Sequence, residues 1–323
     1  MSDPLAVIAR LPGVPEAVQE ARTAVDRLYG HRVLRRRGPE VSAESALRGA
    51  RASAALEGAD IPLESLRSGM AGSPVAQGAL RASSEVGRLS KTWRTAPRQV
   101  LARLHAVAAA DFYREPSGPG AAGRPGEPGA GPGLTGIDAC HGFTGRDVGG
   151  GFLGSDVGGG FAGSGGEGGY AGPADGEEPL GRPRTGPATS DLLGLGPAPA
   201  AEVAAARMAS LVALLTTPTK APALVLAAIV HAELVVLRPF GTADGLVARA
   251  AERLTLVEFG LDPKSLVAVE VGHADSGEAY REGLRGYLKG TSEGVAGWVR
   301  HCATAVELGA RESTAICEAL QRG

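Results

Sequence analysis

Apolar residues recur at intervals of three and four along most of this chain, and almost nowhere at intervals of two. That spacing lines one face of a 3.6-residue helix. It predicts helices over 15–35, 42–57, 75–89 and 98–112, then over 200–216, 221–237, 244–259, 275–288 and 292–321. The punctuation agrees. Pro15 suits a first helical position, where its missing N–H costs nothing. Pro39 and Ser42 start the second helix, and Gly58 with Pro62 stops it. The last helix carries Val295, Val299, Cys302 and Val306 on one face. Residues 221–237 are apolar nearly all round, but His231 and Glu233 interrupt them and they fall short of the ~20 residues of a membrane span. They read as a buried helix. Around 182–195 no period is clear, which leaves room for a short pair of strands. The expected class is all-α.

The pattern breaks between Pro116 and Gly186, where 26 of the chain's 49 glycines lie. A nine-residue unit recurs there imperfectly as GFTGRDVGG, GFLGSDVGG and GFAGSGGEG, spacing Phe143, Phe152, Phe161 and Tyr170 by nine. Gly-Asp repeats can bind calcium in a β-roll, but here Phe and Gly fall out of that register. Three or four apolar side chains do not offset the backbone entropy of so many glycines. The expectation is a disordered insert over 115–187, its aromatic residues weak contact points for a partner. The rest divides into an N-terminal helical arm (1–40), the first part of the domain (41–114) and its core with closing helices (188–323).

Composition narrows the core and the compartment. The chain is 43% hydrophobic but only 4% aromatic, so Ala, Leu and Val must fill the interior, which suits close-packed helices. A net charge of −2 supplies no global field for nucleic acid or membranes. Only four of the 33 basic residues are lysines, and this arginine bias lowers the weight of any single Arg. Cys140, Cys302 and Cys317 form no closely spaced metal-type pair, so no metal is expected and the thiols read as reduced. The first residues lack the uninterrupted apolar run of a signal peptide. A cytoplasmic location is expected.

The most informative stretch is 231–253, HAELVVLRPFGTADGLVARAAER: a helix, a Pro-Phe-Gly loop, and a second helix with Gly245 in its first turn. A loop feeding a helix N-terminus presents free N–H groups and a positive dipole end, although most such ends hold only water or a capping side chain. Arg238-Pro239-Phe240-Gly241-Thr242-Ala243-Asp244-Gly245-Leu246-Val247-Ala248-Arg249 resembles the Fic motif, HPFxDGNGRxxR. Ser53-Ala54-Ala55-Leu56-Glu57-Gly58 is similar to that family's inhibitory-helix motif, [ST]xxxE[GN]. His231 matches a histidine often found seven residues ahead of the Fic motif, and Tyr280, Tyr287 and Trp298 on the closing helices are compatible with it. The resemblance covers roughly 40–112 and 185–320.

The resemblance implies a Fido-type helical bundle and, in ordinary members, transfer of AMP from ATP to a protein hydroxyl with the motif histidine as base. Here Arg238 holds that position, and a guanidinium keeps its protons at any physiological pH. Thr242 replaces the Mg²⁺-holding acid with a neutral oxygen. Asp244 replaces an asparagine and would repel a triphosphate. Leu246 removes a phosphate-binding guanidinium. Pro239, Phe240, Gly245 and Arg249 remain, Phe240 as an anchor and Gly245 for a tight helix entry. The resemblance also implies that Glu57, with Ser53 and Gly58 in its motif, pairs with Arg249 and caps the site.

Plainer readings stand beside these. His231 on an apolar helix is a hydrogen-bonded core residue, Arg238 and Asp244 pair across the loop, or Glu57 and Arg249 are separately solvated. The expected function is a catalytically inactive Fic-like protein that acts by binding a protein partner, with no cofactor, nucleic acid or membrane. The alternative is a Fido-fold transferase with a non-standard site that uses ATP and Mg²⁺. A third reading makes the match coincidental and the chain a generic bundle.

Overall fold

The computed structural model describes residues 3–70, 72–112, 180–188 and 190–322, and among them it contains twelve helices and no strand. In chain order these are α1 (Pro4–Ile8), α2 (Val14–Tyr29), α3 (Leu34–Leu56), α4 (Leu63–Arg67), α5 (Pro74–Trp93), α6 (Pro97–Ala108), α7 (Ala201–Thr216), α8 (Ala223–Leu237), α9 (Asp244–Glu258), α10 (Val269–Asp275), α11 (Glu278–Leu288) and α12 (Ser292–Arg322). No described helix is long and apolar enough to cross a membrane.

α8 is the axis of the fold. Every residue from Leu224 to Leu237 is buried, which explains why its sequence shows no polar face. α9 returns along α8, and α5 and α6 cover α9 on one side while α11 and α12 cover α8 on the other. With few aromatic residues, small side chains let the backbones approach. At Gly78 an added Cβ would lie 2.1 Å from the carbonyl oxygen of Ala108, so α5 meets α6 there only as glycine. The two tryptophans fix the layers with hydrogen bonds. Trp93 Nε1 donates to Thr255 Oγ1 at 2.9 Å, and Trp298 Nε1 donates to the Ala228 carbonyl at 2.7 Å.

Several boundaries differ from the sequence expectation, each for a local reason. The N-terminal arm is helical and packs on the domain: Leu5, Val14, Ala21, Val25 and Leu28 enter the core, and α2 lies along α12. The helix expected from residue 42 begins eight residues earlier and passes Pro39 with a break at Arg37 (φ −120°, ψ 22°). Arg37 bridges that break, holding Glu40 and donating to the Leu320 carbonyl at 2.8 Å. α1, α4 and α10, of five to seven residues, are too short to show a period.

The room left for a short strand pair near 182–195 is not used: the described residues there form turns and irregular chain. Residues 180–187, assigned to the insert by composition, instead pack on the domain. Leu180 lies against the core, and Arg184 donates its backbone N–H to the Pro239 carbonyl at 2.8 Å. The nine-residue repeats, Cys140 and the expectation of disorder for the insert lie outside the described residues.

Candidate functional site

The loop joining α8 to α9 turns within six residues, and three of them adopt positive φ: Arg238 (45°), Gly241 (79°) and Ala243 (53°). Two of these carry a Cβ, which costs of order 1–3 kcal/mol each unless the surroundings enforce it. The surroundings here are explicit. Phe240 stacks on His105 of α6, with centroids 4.3 Å apart and planes 8° from parallel. Arg184 clamps the end of α8 from outside, donating from Nε to the Arg238 carbonyl (2.8 Å) and from Nη2 to the Leu237 and Pro199 carbonyls (3.1 and 2.6 Å). Asp244 Oδ1 accepts the Phe240 N–H at 3.0 Å and closes the loop from below.

Arg238 does not pair with Asp244. Its guanidinium reaches the other way, donating to the Ser190 carbonyl at 2.6 Å and to the Gly196 carbonyl, with Asp191 Oδ1 3.6 Å away. Asp191 meanwhile accepts the N–H groups of Leu195 and Gly196 and so shapes the 190–196 turn. Asp244, without a cation in contact, is pushed up to about 7 by burial, partly offset by the N–H groups of Phe240 and Gly241.

Thr242 Oγ1 lies 3.2 Å from His105 Nε2. The Gly181 N–H donates to His105 Nδ1 at 2.9 Å, so the neutral ring carries its proton on Nε2 and donates it to Thr242. Burial holds His105 down at about 4, keeping the ring neutral. His105 in this tautomer cannot take a proton from Thr242. Leu246 points into the core at 1% exposure and offers nothing to a ligand.

Arg249, one turn into α9, is completely buried and carries the sharpest contact of the site. Its Nη2 donates to Glu57 Oε1 at 2.7 Å and to the Ser53 carbonyl at 3.1 Å, its Nε to Ser53 Oγ at 2.8 Å, and its Nη1 to Tyr280 Oη at 3.4 Å. Ser53 and Glu57, four residues apart, face one way at the end of α3. Gly58 follows at φ 84° and ends the helix. The Glu57 carboxylate lies directly over the first turn of α9: a Cβ on Gly245 would sit 1.9 Å from Oε1. Only glycine fits beneath it. Between Glu57 and the 190–196 turn is a cavity of about 190 Å³, lined by Val75, Phe112, Leu193, Val235, Arg238 and Asp244 among others.

Behind Arg249 lies a network that no short motif announces. His231 donates or accepts at both nitrogens, with Nδ1 2.6 Å from Glu252 Oε2 and Nε2 2.9 Å from Tyr280 Oη. It is the hydrogen-bonded core histidine of the plainer reading. His273 and His301 extend the chain of contacts from the other side of Glu252. The signal in the sequence is faint: His231 lies in the nearly all-apolar α8, while Glu252 is one of several buried charged residues of α9.

No protein-family profile matches the sequence, and no curated protein matches it. Among solved structures, a Fic family protein from Desulfovibrio desulfuricans G20 is similar in fold. The superposition has a TM-score of 0.59 and covers 93% of this chain and 74% of that one, at 17% sequence identity. At that identity the likeness establishes architecture, and the architecture is an all-α fold of the Fic type.

Proposed function

We propose that this Fic-type fold is catalytically inactive and works by binding a protein partner. The observation that carries the reading is at position 238. The side chain standing where the family's base stands is a guanidinium that lines the cavity, is tied into the carbonyls of Ser190 and Gly196, and cannot accept a proton. The neighbouring positions support it. Glu57 covers the α9 N-terminus where a phosphate would dock, Thr242 accepts a hydrogen bond from His105, and Leu246 is in the core. These residues do not fit a magnesium-bound triphosphate.

One feature favours the second reading, a Fido-fold transferase with a non-standard site. Asp244 lines the cavity and is held near neutrality, where a carboxyl can exchange protons at physiological pH. Calorimetry with ATP and Mg²⁺ separates the two. The first reading predicts no heat of binding, either for the natural chain or for Glu57→Gly. Tight binding by Glu57→Gly alone would mean a capped nucleotide site and would move the transferase reading ahead. Arg238→His by itself is expected to restore no transfer, because Thr242, Asp244 and Leu246 stay unsuited to their roles.

A further inference from the structure

A second cavity borders the α8–α9 loop, between α6, α7 and the segment 181–184. It holds about 380 Å³, a size that small-molecule sites commonly have. Its wall is apolar: Leu101 and Ala102 of α6, Ala205, Met208 and Val212 of α7, and Phe240 of the loop. The sequence accounts for the space. Where α6 and α7 face each other the residues are alanines at 102, 201, 204 and 205, too small to fill the gap between the helices. The cavity is also long. Ala201 and Val212 both line it, eleven residues apart on α7, which is about 16 Å at the helical rise.

The charge around this apolar wall has one sign. Arg98 and Arg184 line the cavity, and no carboxylate does. Arg98 is exposed, and among the described residues it has no ion-pair or hydrogen-bond partner. It stands in the first turn of α6, which has no side-chain cap. There the helix dipole disfavours a cation and favours an anion. Arg184 directs its donors to the carbonyls of Gly186, Pro199, Leu237 and Arg238. Those bonds satisfy its geometry and leave its charge without a carboxylate against it.

We propose that this cavity binds a free medium-chain fatty acid, with the alkyl chain between α6 and α7 and the carboxylate at Arg98. An extended alkyl chain matches a recess that is narrow, apolar and longer than any one side chain reaches. A carboxylate supplies the charge that the two guanidiniums lack, and Arg98 is free to form charge-assisted hydrogen bonds with it. Phe240 is part of the wall, so the bound chain touches the α8–α9 loop whatever that loop itself does. The inference therefore stands apart from the reading of position 238.

The test is calorimetry on the delipidated full chain with decanoate as probe. Binding should saturate at one per chain with a Kd of about 10–100 µM. Octanoate, with two fewer CH₂ groups to bury, should bind about tenfold more weakly. Decanol and decyltrimethylammonium should each be weaker than decanoate by about tenfold or more. Arg98→Glu should weaken decanoate by about tenfold and leave decanol nearly unchanged. Ala205→Trp, an exposed position whose new side chain fills the recess, should abolish binding of every probe. A natural chain that does not bind decanoate overturns the proposal. Equal binding of the three head groups, or a lack of dependence on chain length, overturns it too. So does decanoate binding that is unchanged in Arg98→Glu or Ala205→Trp. Should a variant fail to fold, the head-group and chain-length comparisons on the natural chain still decide.

Discussion

Asp244 shows how one side chain sets the behaviour of the loop. Its carboxyl is buried among backbone donors and rests at about 7 in the folded chain, against an ordinary value near 3.8. A raised carboxyl binds its proton more tightly folded than unfolded, so its contribution is favourable at low pH and is lost as pH rises toward 7. Asp244→Asn keeps an acceptor for the Phe240 N–H and removes the titration. It should therefore raise Tm more at pH 8 than at pH 5, and equal shifts at both would contradict the assignment. His105 runs the other way: its depressed value means stability lost as pH falls from about 6.5 toward 4. Arg238→Ala should cost about 1.5–3 kcal/mol in denaturant unfolding, since charge-assisted bonds hold the 190–196 turn to the loop. The residue types at 238, 242, 244 and 246 were legible in the sequence. Their partners were not, because Arg238 binds carbonyls more than forty positions away and no pattern of side chains encodes a carbonyl.

Among the elements, the meeting of α3 with α9 carries the site. Arg249 is wholly buried, and among the described residues Glu57 is the only carboxylate paired with it. Removing one partner of such a pair leaves a buried charge and costs about 3–5 kcal/mol, here toward the low end because Ser53 keeps two contacts. Glu57→Ala and Arg249→Met should show coupling of at least about 1 kcal/mol in a double-mutant cycle. Coupling near zero would mean the contact does nothing. Gly245→Ala probes the same contact from below. Its Cβ must displace a carboxylate that Arg249 holds, so the variant should lose about 1–3 kcal/mol, and in a Glu57→Gly background the same change should cost much less. The Ser-x-x-x-Glu-Gly spacing and the Arg at the end of the loop motif made this pair readable, since four residues in a helix is one face. The Glu252 cluster was not readable: His231, Glu252 and His273 come from three helices, one of them only seven residues long.

At the scale of the whole molecule, the two halves of the domain meet around α8, which is buried on every side. The periodic helices were visible one by one, but their packing was not. Residues 180–187 look like the glycine-rich segment before them, yet Gly181 and Arg184 hold His105 and the end of α8. Tertiary hydrogen bonds decide that stretch, and composition does not record them. The result is a Fic-type frame whose α8–α9 loop is shaped by Asp244, clamped by Arg184 and covered by Glu57, and in the proposed reading Arg238 stands where proton transfer would be needed. The direct measurement is to incubate the full chain with Mg²⁺ and ATP labelled at the α-phosphate, alone and with cell extract, and to count label on protein. The expected result is none above a boiled control. Label incorporated by the natural chain and lost on mutation of Arg238 or Asp244 would show that the site transfers a nucleotide after all.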